Sequence, residues 1–75
     1  MKEDILSLLQ EVLPQIDFTS PEALVDGGIL DSVSVVTVVS ELSMEYDITF
    51  PYDEIVPENF NSLDAIVKLV ERLKR

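Results

Sequence analysis

The chain contains no cysteine and no histidine. The first absence excludes disulfides, thiol nucleophiles and zinc fingers, and the second removes the imidazole base that Ser-His and Cys-His catalysis require. Basic residues are scarce, with 5 Lys and Arg against 15 Asp and Glu, for a net charge of −10. Residues 1–67 hold 14 of those acids and a single base, Lys2. The remaining bases, Lys68, Arg72, Lys74 and Arg75, crowd the last eight positions. A surface this negative repels nucleic acid and anionic lipid and steers toward basic partners, although acidity alone also keeps a small protein soluble. No apolar run approaches the ~18 residues of a membrane span, and Met1-Lys2-Glu3-Asp4 is too acidic for a secretory signal. These absences predict a soluble, cytoplasmic, monomeric domain over 1–75, although a Cys-free chain tolerates either redox compartment.

Apolar residues are plentiful. Ile, Leu, Val and Phe make up 29 of the 75 positions, enough for one modest core. Over Lys2–Leu13, the residues Ile5, Leu6, Leu8, Leu9, Val12 and Leu13 share one helical face. Glu3 and Asp4 sit where the helix dipole favours negative charge, and Pro14 ends the segment. Pro14–Asp31 is a long connection in which Ser20–Leu24 has the composition of a turn or two of helix, with Ser20 as cap and Pro21 in the first helical position. Ile16, Phe18, Leu24, Ile29 and Leu30 are expected to peg it to the core, and Asp26-Gly27-Gly28 to break it.

Ser32–Tyr46 is ambiguous locally. Its valines favour a strand by propensity, but Val35, Val38, Val39, Leu42 and Tyr46 fall on one face at about 100° per residue, so the period predicts a helix capped by Asp31. Pro51 and Pro57 bracket Tyr52–Val56 and leave room for one short helical turn, with Phe50, Ile55 and Phe60 as core plugs. From Ser62 onward, Leu63, Ile66, Val67, Val70 and Leu73 form a last stripe, with Asn61 available as cap and the basic residues in the final turns, as the dipole prefers. The expected fold is all-α: a small four-helix bundle of three longer helices and one short one.

Few chemistries survive inspection. The acids are dispersed and form no calcium loop, so no metal site is expected. Gly27-Gly28 lacks the lysine and the strand-to-helix setting of a phosphate loop, and a bundle this small offers no cleft for a carboxylate pair to act on a sugar. No catalytic residue is assigned. Ser32 remains. It follows a flexible acidic turn and opens a helix, where unpartnered backbone N–H groups favour an attached phosphate. From position alone the plainer reading, a helix-start residue, is favoured.

Gly28-Ile29-Leu30-Asp31-Ser32-Val33 resembles the Asp-Ser-Leu signature of the acyl carrier proteins, and the order of helices resembles that family over nearly the whole chain. The resemblance implies that Ser32 carries a 4′-phosphopantetheine arm, transferred from coenzyme A with Mg²⁺ by a phosphopantetheinyl transferase. It implies that Asp31 orients the serine and helps hold the metal in the transferase complex. The arm's thiol then carries an acyl or aminoacyl group as a thioester, and the protein is a carrier, not an enzyme. Val33 departs from the pattern, standing where the family has Leu or Met.

Val33–Ser40 is free of charge, whereas helix two of the family is often strongly acidic on its exposed face. Val33, Thr37, Ser40 and Met44 lie opposite the buried stripe, with Glu41 and Glu45 on one flank. This surface is expected to dock ligases and acyltransferases through apolar contact and shape, with charge serving encounter rate. The neutral start of that helix and the Pro-Glu-Asn-Phe-Asn-Ser run at 57–62 are similar to small carriers of D-alanine for teichoic acid modification and to stand-alone aminoacyl carriers. A fatty-acid carrier stays open as a cargo alternative, and an acidic helical adaptor without a prosthetic group as the alternative of another class.

Overall fold

In the computed structural model, which describes residues 1–74, the chain is all-helical. Helix α1 spans Lys2–Val12, α2 spans Ser32–Tyr46 and α3 spans Leu63–Leu73. Arg75, part of the basic tail expected from the sequence, lies outside the described residues. Among the described residues no helix is long and apolar enough to cross a membrane.

Helix α1 packs against both of the other long helices. It contributes Ile5 and Leu9, with Leu13 just past its end, to a core completed by Val38 and Leu42 of α2 and by Leu63, Ile66, Val67, Leu69 and Val70 of α3. Period therefore prevails over β-propensity in α2, because a helix delivers Val35, Val38, Val39, Leu42 and Tyr46 to one face, whereas a strand would split them between two. Val39, expected in the core, is half-buried and packs against its edge. Leu69, which lies on the flank of its stripe, is fully buried because α3 has neighbours on two sides, α1 and the turn at Pro57–Asn59.

The expected loop pegs hold. Ile16, Phe18, Leu24 and Leu30 are buried and Ile29 is half-buried. The helical turn sketched for Ser20–Leu24 does not form. The Leu24 N–H donates to the Asn61 carbonyl at 2.8 Å instead of closing a helical bond to Ser20, whose Oγ accepts from the Glu22 N–H at 3.2 Å. The loop closes through a bond from the Gly27 N–H to the Ala23 carbonyl at 2.7 Å, and a Cβ on Gly27 would collide with that same oxygen. Gly28 adopts φ of 80°, which glycine alone takes without strain.

The short helix expected after Pro51 is a pair of 3₁₀ turns, Tyr52–Glu54 and Pro57–Asn59. Phe50 and Phe60 plug the core with ring centroids 6.5 Å apart. Ile55 does not, and is 38% exposed. The preceding residue explains the difference. The Glu54 carboxylate accepts from Asn59 Nδ2 and from the Arg72 guanidinium, each at 3.0 Å, which turns Glu54 toward α3 and leaves its neighbour facing out. The cap of α3 also falls one residue later than expected. Ser62 Oγ accepts from the Ala65 N–H at 3.0 Å, because the Asn61 side chain is engaged elsewhere. Two basic residues near the C-terminus have local partners: Arg72 pairs with Glu54, and Lys74 lies over the Tyr46 ring at 5.2 Å.

Candidate functional site: the serine at the head of α2

Asp31 and Ser32 are the cap and first residue of α2. Asp31 has extended backbone and its Oδ1 accepts from the Ser34 N–H at 2.8 Å, satisfying one of the amides that a helix start leaves open. This bond, chiefly, holds the Asp31 carboxyl below the usual carboxylate range. Asp31 thus fixes the start of the helix whose first residue is Ser32.

Ser32 is exposed, and among the described residues no side-chain hydrogen bond engages its Oγ. It stands at the positive end of a 15-residue helix, a setting that stabilises a phosphate ester. Beside it runs an open groove of about 290 Å³ with Asp31 and Ser32 on its lining. Val35 and Val36 of α2 form one wall, and Ile55, Val56, Pro57 and Phe60 another, with Val25 also contributing. The groove is mostly apolar, and it suits a flexible organic chain tethered at the serine better than a charged ligand. Among the described residues no three acidic side chains gather closely enough to hold a metal ion.

The residues assigned to partner docking divide. Val33 and Met44 are 74% and 71% exposed, and Ser40 and Glu45 are also exposed. Thr37 and Glu41 are half-buried. Thr37 Oγ1 donates back to the Val33 carbonyl at 3.1 Å, so its hydroxyl is satisfied within the helix and the face is more apolar than its residue types suggest. Two residues of the groove beside Ser32 are not site candidates from the sequence: Val36, 63% exposed, and Ile55, expected in the core. Val36 lies on the flank of α2 opposite Glu41, where a valine reads as the margin of a core. Only the tertiary arrangement leaves it uncovered, over the groove.

An exposed serine at a helix start, beside an apolar groove in a small helical domain, is the setting against which the relatives of this chain can be compared. The chain is 32% identical over 74 residues to a D-alanyl carrier protein of Streptococcus suis, covering 97% of this chain and 94% of the relative. It is 28% identical over 75 residues to the D-alanyl carrier protein of Streptococcus mutans, covering 99% and 95%. It is 34% identical over 74 residues to aminoacyl carrier protein 1 of Bradyrhizobium diazoefficiens, covering 93% and 81%. No family profile and no solved structure matches the chain. On these relatives, the chain belongs to the carrier protein family.

Proposed function

We propose that this protein is a 4′-phosphopantetheine-dependent carrier that holds an aminoacyl group as a thioester on an arm attached to Ser32. The observation that carries the reading is the exposed Ser32 hydroxyl, set directly after the capping Asp31 and on the lining of an apolar groove. Ser32 Oγ displaces 3′,5′-adenosine bisphosphate from coenzyme A. One O–P bond forms, one phosphoanhydride bond breaks, and the hydroxyl proton passes to a base of the phosphopantetheinyl transferase complex. The bound arm supplies the thiol that a cysteine-free chain lacks. Val25, Val36, Ile55 and Phe60 are suited to hold its apolar portion. An aminoacyl-activating ligase and an acyltransferase with apolar docking surfaces and basic rims are the expected partners, working in the cytoplasm. The names of the relatives above favour D-alanyl or another aminoacyl cargo over a fatty acyl one.

Thiol titration tests the reading simply. After incubation with coenzyme A, Mg²⁺ and a broad-specificity phosphopantetheinyl transferase, and removal of small molecules, the protein gains one titratable thiol. A protein that stays without a thiol contradicts the proposal.

A further inference from the structure

We infer that Asn61 is a positioning residue for the chemistry at Ser32, clasping the loop before α2 to the head of α3 so that the serine hydroxyl is held on the groove. The inference rests on the carrier reading. Asn61 Oδ1 accepts from the N–H groups of Val25 and Asp26, both at 3.0 Å, and its Nδ2 donates to Asp26 Oδ2 at 3.0 Å. Its own carbonyl accepts from the Leu24 N–H at 2.8 Å. One residue thus makes four bonds to a segment some 36 positions away. A primary amide fits: both Oδ1 lone pairs and one N–H are used, and a carboxylate would bring no donor to face Asp26.

The clasped segment leads to Ser32 by a short path. The Leu30 N–H donates to the Leu24 carbonyl at 2.7 Å, so the loop closes on itself one residue before Asp31. In the first turn of α2 only Val35 packs against the core, and it is half-buried. The fully buried residues of the helix, Val38 and Leu42, lie beyond that turn. The loop therefore shares with Val35 in setting where Ser32 stands. Val25 and Phe60, both on the lining of the groove, are respectively bonded to Asn61 and adjacent to it in sequence. Loosening the clasp moves the serine relative to that groove while the partner-docking face of α2 stays intact.

The test compares Asn61→Ala, Asn61→Asp and the double variant Asp26→Asn/Asn61→Asp with wild type, using coenzyme A and a broad-specificity phosphopantetheinyl transferase. The double variant keeps the net charge and reverses the donor and acceptor of the side-chain pair. Circular dichroism at the assay temperature establishes that each variant is folded. The clasp predicts that kcat for arm transfer falls about tenfold in both single variants with KM unchanged, the signature of misplacement and not of lost docking. It predicts faster hydrogen exchange at the Val25 and Asp26 amides in Asn61→Ala, and recovery of kcat in the double variant. Folded Asn61→Ala modified at the wild-type kcat overturns the inference, as does a loss of kcat that the double variant does not recover. If Asn61→Ala does not fold, Asn61→Asp against the double variant decides, since both keep the acceptor oxygen. Wild-type protein that takes no arm refutes the carrier reading, and the amide exchange then reports on the clasp by itself.

Discussion

Asp31 Oδ1 and the Ser34 backbone N–H, 2.8 Å apart, form a bond that encloses Ser32. The residue before the serine is thereby committed to starting the helix, and the serine is left with its hydroxyl outward. The same bond sets the acid response of the site. The Asp31 carboxyl is held below its ordinary value, so its contribution to stability is present above the unfolded-state pKa of about 3.9 and is lost as pH falls through the lower folded-state value.

Asp31→Asn keeps an acceptor for the Ser34 N–H but has nothing to titrate. Between pH 5 and pH 2.5, regions flanking that window at about 3.9, thermal melts are expected to show a smaller loss of Tm in Asp31→Asn than in wild type. The comparison between variants cancels the acid response of the other carboxylates, including Asp17 and Asp64, which are held low by Thr19 and Lys2 respectively. Equal losses in the two proteins would contradict the assignment.

Leu42 is fully buried where α2 meets the core. Leu42→Ala is expected to lower stability by about 2–5 kcal/mol, a large share of what so small a domain possesses. Urea denaturation, read as a lower midpoint with unchanged slope, checks this. A near-neutral effect would mean that the wrong face of α2 has been assigned to the core.

Val36 is apolar, exposed and beside the serine. Val36→Asp is expected to change stability by no more than about 0.5 kcal/mol, as surface substitutions do. It is expected to reduce kcat/KM for arm transfer or ligase loading by about tenfold or more, the effect of a charge placed in the apolar centre of an interface. Glu45→Gln, at the edge of the same helix, is expected to act on the association rate and its salt dependence instead. Undiminished kcat/KM in Val36→Asp would remove this face from partner docking.

What was legible in the sequence is what short-range chemistry decides. The spacing of Val35, Val38, Val39, Leu42 and Tyr46 identifies α2 as a helix despite its valines, Asp31 marks its start, and Pro14 ends α1. Ser32 is singled out by the resemblance of Gly28–Val33 to the carrier signature, since its position alone is that of any helix-start serine. The misreadings share a cause, a partner far away in sequence. Asn61 and Ser62 are both good caps, and only the bonds from Val25 and Asp26 decide that Asn61 is taken by the loop. Ile55 looks like a plug until Glu54 is seen to be held by Asn59 and Arg72.

The attachment point is tested most directly by intact mass. Wild type and Ser32→Ala are each incubated with coenzyme A, Mg²⁺ and a broad-specificity phosphopantetheinyl transferase, after circular dichroism has established that both are helical. Wild type is predicted to gain the mass of one phosphopantetheinyl group and Ser32→Ala none. No gain in wild type, or an equal gain in Ser32→Ala, would contradict the assignment of Ser32 as the tether.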